Sequence, residues 1–326
     1  MWSYFLSGCA SFIADRITTK LDATPSNDIP AWVVETPLCD ENNNCVTAYS
    51  IDDEFKASLK LSFTYHLEDE TYVWRFHSKA NKSKKRRLLN KDLVVIFGGY
   101  GQTWQSMFTH QMWLESITQK QVFLIPSANH SHHFQFGLDF VAPVAAEINR
   151  RAPQNVHIVG FSMGAVAAQR VANQFDNAHL HLIAPMTDFV RSADAIWDSG
   201  KQQNLLLNLI PKDTVQQATS LVFARAKVSS KDIAIIPNMK KSQTPTFIYI
   251  SEQDKITSAV DWKAYKSTNV LIHKYLQLGH IEMVALADQN LLANFAGNLL
   301  GQKISIEDAA VIGRLCHIDN KQCMYE

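Results

Sequence analysis

"NVHIVGFSMGAVAAQ", residues 155–169, begins β-branched and apolar, breaks at Gly160, presents Ser162 and continues in small residues. The first half has the composition of a strand buried on both faces, and the second half that of a helix lying close to its neighbours. A strand that passes through Gly-X-Ser-X-Gly straight into a helix carries its serine on a strained turn. Side chains two positions either side would collide with nearby backbone, and Gly160 and Gly164 remove those collisions. The helix that follows directs its N-terminus at the serine, which leaves the Met163 amide free to bind a developing negative charge. Ser162 is the candidate nucleophile. An idle hydroxyl in a glycine turn is the blander reading, and the strand before and helix after disfavour it.

The same alternation extends in both directions. "DLVVIF", "QVFLIP", "NVHIVG", "HLHLIA", "TFIYIS" and "NVLIHKYL" are short aliphatic runs, and helical stretches such as "TWQSMFTHQMWLESITQ" and "GLDFVAPVAAEINRR" lie between most of them. This pattern predicts an α/β protein with a mostly parallel central sheet and flanking helices. Residues 31–78 read as several short strands separated by acidic and Asn-rich turns, giving a β-rich N-terminal part. Between "HLHLIAP" and "TFIYI" lie about sixty residues with apolar helical stretches around Trp197, "NLLLNLI" and "SLVFARA". A structureless loop of that length is improbable inside a domain, so residues 187–244 are expected to form an inserted helical lid. The expected division is an N-terminal segment over 1–30, a core over 31–186 and 245–326, and the lid between them.

Lys plus Arg equals Asp plus Glu at 31 each, so no global field attracts nucleic acid. No stretch reaches the roughly 18–20 apolar residues of a membrane-spanning helix. The basic run at residues 79–91, "KANKSKKRRLLNK", reads as a solvated hairpin loop. Contact with anionic lipid head groups becomes relevant only if the chain is anchored.

Five cysteines are present: Cys9 and two close pairs, Cys39 with Cys45 and Cys316 with Cys323. The spacings within the pairs are wider than the roughly two to four residues usual for zinc, so disulfides are the better reading, with three pairings open. Disulfides imply an oxidising compartment, and free thiols imply the cytoplasm. Leu6-Ser7-Gly8-Cys9 resembles the lipobox of bacterial lipoproteins, which implies lipidation of Cys9, a membrane tether and a periplasmic or outer-membrane location. Only eight residues, none basic, precede Cys9, so either the start lies upstream or the N-terminus matches by chance.

A serine hydroxyl needs a base, and the base needs an orienting acid. "SEQDKIT" places Asp254 just beyond a strand, and "GHIEM" places His280 just beyond the next. The order Ser, Asp, His is that of a Gly-X-Ser-X-Gly site at the strand ends of a parallel sheet. A glycine-rich turn, "FGGYGQT", follows the strand "DLVVIF" and lets backbone approach a ligand. Through "FGGYGQT", "GFSMG", "SEQDKIT" and "LGHIEM", residues 92–290 resemble the α/β-hydrolase family. Many members carry His-Gly-X-Gly in the first loop. Gly98 stands where that histidine usually does, so the resemblance makes the Tyr100 amide the second oxyanion donor beside Met163.

Asp188, beyond the preceding strand, is the alternative acid, and Glu252 lies near Asp254 at a less suitable offset. His130, His132 and His133 gather in one loop, but no nearby Cys or carboxylate completes a metal set, so they read as loop histidines. The whole implies a serine hydrolase that cleaves a carboxylic ester through an acyl-enzyme, with a small-molecule acyl substrate and no cofactor. A thioesterase or peptidase on the same triad, or a non-catalytic surface lipoprotein, are the alternatives.

Overall fold

The computed structural model of the protein describes residues 2–20, 33–51, 59–67, 70–78, 92–118, 120–131, 133–203, 207, 210–306 and 314–317. Helix α1 (Trp2–Thr18) precedes β1 (Val33–Cys39), β2 (Cys45–Ile51), β3 (Leu59–Leu67) and β4 (Glu70–Ser78). An alternating series follows: β5 (Leu93–Phe97), α2 (Trp104–Thr118), β6 (Gln121–Ile125), α3 (Val141–Arg151), β7 (Val156–Phe161), α4 (Ala165–Ala172) and β8 (Ala178–Ile183). Three helices, α5 (Phe189–Gln203), α6 (Lys212–Ala226) and α7 (Ile235–Met239), separate β8 from β9 (Thr246–Ser251). The chain continues through β10 (Val270–Tyr275), α8 (His280–Val284), α9 (Gln289–Leu300) and β11 (Arg314–His317).

Eight strands form one sheet in the order β1-β2-β6-β5-β7-β8-β9-β10. The six from β6 to β10 are parallel, and the β1–β2 hairpin joins antiparallel at the β6 edge. The continuous apolar runs become buried strands because helices cover both faces. On one face Val95, Ile158, Leu180 and Ile248 pack beneath α3 and α4. On the other Val94, Val159, Ile183 and Tyr249 meet α2 and α9, where Trp113 and Phe295 pack ring to ring at 5.7 Å.

Strand β5 connects through α2 to β6 on one side, while its other neighbour, β7, connects through α4 to β8. The loops leaving β5 and β7 therefore diverge, and the crevice between them is where parallel sheets of this kind bind ligands.

Two parts depart from the expected division. Strands β3, β4 and β11 form a separate three-stranded antiparallel sheet, with β4 lying against α2. The β3–β4 pairing runs from Leu59–Ser78 to Leu67–Glu70, and the outward-facing backbone groups of β4 pair with a third strand from the C-terminal region. Residues 2–18, within the expected N-terminal segment, are helical, and Ala10 and Ala14 are buried in the core beside α6. Arg225 of α6 reaches Asp15 at 2.8 Å and Ser11 at 2.9 Å.

Cys39 and Cys45 are bonded to each other across the β1–β2 hairpin, where they stand directly opposite. The Asp40 side chain closes the turn by accepting from the amides of Asn42 and Asn44 at 2.9 and 2.8 Å. Cys9 is a free, exposed thiol, and Cys316 lies on β11 opposite Val73. Cys323, His132, the basic run 79–91 and most of "NLLLNLI" lie outside the described residues. Among the described residues no helix is long and apolar enough to cross a membrane.

Candidate active site

Ser162 sits between β7 and α4 with φ +49°, a left-handed conformation that a serine adopts only under constraint. The constraint comes from both sides. A Cβ on Gly160 would lie 2.7 Å from Ala165 Cα and from Ala168 Cβ, so α4 can lie this close only over glycine. A Cβ on Gly164 would lie 2.4 Å from the Phe97 carbonyl oxygen and 2.5 Å from that of Gly98, which locks the turn against the end of β5. Ala165, Ala167 and Ala168 are fully buried, which explains the small-residue composition after the serine. Met163 is the second residue of the helical turn that starts at Ser162, where amides have no partner within the helix.

His280 is the first residue of α8, brought there from the end of β10 by the short loop through Gly279. Its Nε2 lies 3.0 Å from Ser162 Oγ, and its Nδ1 lies 2.8 Å from Asp254 Oδ2. Asp254 follows β9, and only 4% of its surface is exposed. A buried carboxylate needs compensating donors, and this one has them. Oδ1 accepts the amides of Ile256 and Thr257 at 2.9 and 2.8 Å, and Oδ2 accepts the Thr257 hydroxyl as well as the imidazole. The serine, histidine and aspartate singled out in the sequence thus form one continuous hydrogen-bonded chain, although they are contributed by three separate strand ends.

Asp188 faces elsewhere. Its side chain is half-exposed and pairs with Arg191 at 3.6 Å, and Arg191 also binds Asp261 at 2.8 Å. The Glu252 amide donates to the Tyr275 carbonyl at 2.9 Å, tying the β9 end to β10. His130 is half-buried, with Nε2 lacking a partner among the described residues. Burial first and the Lys20 charge second hold its imidazole below the ordinary range. Among the described residues no group of three His, Cys, Asp or Glu is placed to hold a metal ion.

Several supporting residues escaped the sequence reading. Thr257 and Ser251 brace the acid and histidine loops, Ser251 Oγ accepting from the amides of Gln253 and Leu278 at 3.4 and 3.2 Å. Glu282 accepts the Gly279 amide at 2.6 Å, fixing the start of α8 and hence the position of His280. The Gly-X-X-Glu spacing of "GHIE" carries that signal as a helix-start pattern. His110 lies fully buried under the site, its Nε2 2.9 Å from the Val284 carbonyl and its ring edge-on to Phe161. Burial pushes its imidazole down to about 4, so it is neutral at physiological pH.

The eight-stranded sheet, its strand order and the serine turn at the β5–β7 crevice fix the architecture. The chain has the α/β-hydrolase fold. An esterase from Pyrococcus furiosus superposes with a TM-score of 0.57 at 11% identity, covering 86% of this chain and 95% of the esterase. A second crystal form of that esterase gives 0.54 at 11% identity, over 86% and 96%. An α/β hydrolase from a Medee basin deep-sea metagenome library gives 0.46 at 14% identity, over 73% and 96%. No protein-family model matches the sequence, and no curated protein sequence matches it.

In this α/β-hydrolase fold, α5 and α6 follow β8 and pack against each other. Phe189 of α5 and Phe223 of α6 pack against Phe136, their rings 4.8 and 5.5 Å from its ring. Phe136 belongs to the loop after β6, and Phe134 of that loop continues the cluster to Tyr100.

Proposed function

We propose that this protein is a serine hydrolase that cleaves a carboxylic ester through an acyl-enzyme. One observation carries the proposal: Ser162, held at φ +49°, lies within 3.0 Å of an imidazole that is itself anchored at 2.8 Å to a buried carboxylate. Ser162 Oγ attacks the ester carbonyl carbon while His280 Nε2 takes its proton, and Asp254 holds the imidazole through Nδ1 and stabilises its charged form. The amides of Tyr100 and Met163 receive the negative charge that forms on the carbonyl oxygen. Collapse of the tetrahedral species expels the alcohol, which takes the proton from His280. Water, deprotonated by the same nitrogen, then attacks the acyl carbon; collapse of this second tetrahedral species breaks the bond to Ser162 Oγ, which takes the proton back from His280, and frees the acid.

The preference for an acyl ester rests on the aromatic cluster of Phe134, Phe136, Phe189 and Phe223, which gives the region beneath α5 and α6 an apolar character. A fluorophosphonate probe tests the reaction class. Wild type is expected to be labelled and Ser162→Ala to be inert; no labelling of wild type, or equal labelling of both, rejects the proposal. A panel of esters and thioesters graded in acyl length tests the substrate class. Faster turnover of thioesters than of matched esters, or no response to acyl length, rejects the apolar ester site.

A further inference from the structure

The loop between β5 and α2 lacks the histidine common in this fold, yet its geometry is closely determined. A Cβ on Gly99 would lie 3.0 Å from Ser162 Cβ and 3.2 Å from the Phe161 carbonyl oxygen, so this loop runs directly against the nucleophile. Gly99 to Gln102 forms a turn closed by a 3.1 Å bond from the Gln102 amide to the Gly99 carbonyl, with Gly101 at φ +75° in the position that requires a left-handed residue. Three amides then remain to be accounted for, those of Gly99, Tyr100 and Gly101.

Two of them are taken up by side chains. The Gly99 amide donates to Gln102 Oε1. The Gly101 amide is shared between Ser127 Oγ at 3.1 Å and Asn129 Oδ1 at 3.3 Å, and Ser127 Oγ donates in turn to Asn129 Oδ1. Ser127 and Asn129 are both buried, and the Ser127 amide donates to the Gln102 carbonyl at 3.2 Å, so the two supports are linked. Among the described residues the Tyr100 amide has no acceptor. Asn129 Nδ2 is buried without a partner among them, a cost that a residue present only for stability would not impose.

We propose that Gln102, Ser127 and Asn129 are positioning residues for catalysis. By occupying the amides of Gly99 and Gly101 they fix the loop and leave the Tyr100 amide as the one amide of this turn that can serve the oxyanion beside that of Met163. Gln102 thus supplies from within the loop an ordering contact that the absent histidine cannot. The inference rests on the serine-hydrolase reading above, and it excludes Gly99 as the oxyanion donor because that amide is already occupied.

The test compares wild type with Gln102→Met, which keeps side-chain length and loses the acceptor, and with Ser127→Ala, which removes one of two acceptors for Gly101. Active sites are counted by fluorophosphonate titration run to completion, so that losses of folded protein do not enter. For Gln102→Met, kcat on a short p-nitrophenyl ester is expected to fall by up to about 100-fold with KM unchanged, given the size of oxyanion effects. Affinity for a trifluoromethyl ketone, which forms a tetrahedral adduct with the serine, should fall by the same factor. Ser127→Ala should give the same pattern with a smaller loss, since Asn129 Oδ1 still reaches the Gly101 amide. Unchanged kcat in both variants, or loss of kcat without matching loss of ketone affinity, overturns the proposal while leaving the reaction class intact. A wild type that neither titrates nor turns over overturns the reaction class, and this inference with it.

Discussion

At the residue scale, the serine turn is held by the absence of atoms. Gly164 has no room for a methyl group because two backbone carbonyl oxygens would lie within 2.5 Å of it, and backbone cannot rotate away as a side chain can. Gly164→Ala must therefore shift the end of β5 away from α4, carrying Gly98 and Gly99 with it. Overpacking of this kind costs about 1–3 kcal/mol or more. Thermal unfolding should show the lowered stability. Turnover per titrated site should fall as well, because Gly99 runs against Ser162; full turnover per site would contradict this account. The serine and its glycines were legible in sequence because each requirement is local: strand, turn and helix lie within fifteen residues. Asp254 and His280 were legible through position at successive strand ends. Gln102, Thr257 and Glu282 were not, since a polar residue in a loop has no periodicity to mark it, and only the folded loop shows which amide its side chain reaches.

At the scale of elements, the β1–β2 hairpin and the strand pair β7–β8 show opposite relations to the core. The hairpin lies at the sheet edge, with β6 and β5 between it and the serine strand, and is closed by the Cys39–Cys45 bond over a six-residue separation. Loop-closure arguments assign a cross-link this short about 2 kcal/mol. The double variant Cys39→Ser/Cys45→Ser should lower the melting temperature in proportion and leave ester turnover unchanged; a loss of turnover in the folded protein would mean that the hairpin supports the site. The strands β7 and β8 instead carry polar residues inward. His157 stands opposite His179, and His181 lies between Phe247 and Phe295, with ring centroids 5.0 and 5.6 Å away. Neither ring nitrogen of His181 has a partner among the described residues. Replacing a buried group with unmet hydrogen-bonding capacity by an apolar one of similar shape is neutral or stabilising. His181→Phe should therefore fold with an equal or higher melting temperature, and a marked drop would show that the imidazole has a polar role in the core.

At the scale of the whole molecule, these histidines tie stability to pH. Burial, reinforced by the nearby Lys120 charge, pushes His157 down to about 3, and burial pushes His110 to about 4 and His181 well below its ordinary value. Lys120 Nζ lies 3.4 Å from His157 Nε2 and is paired with Asp92 at 2.9 Å. In the unfolded chain each histidine binds its proton near pH 6.5. Above that pH both states hold neutral imidazoles and the stability is fully present. Below it the unfolded state gains protons that the folded core refuses, and stability falls as the pH drops from about 6.5 towards 4. Melting temperature measured across this range should decline, and His181→Phe should decline less steeply; parallel profiles for the two proteins would remove His181 from the explanation.

The alternation of strands and helices, the parallel core, helices before β9 and the standing of Ser162, Asp254 and His280 at strand ends are all written in the sequence. These follow from hydrophobic periodicity and from steric rules that act over a few residues, and so are written locally. Tertiary structure alone decided that β11 returns to pair with β4 and that α1 packs on α6. It alone decided which amides of the Gly99–Gln102 turn are occupied. Each of these depends on groups far apart in the chain arriving within about 3 Å of one another, a distance at which hydrogen bonds form or fail and which no local pattern specifies.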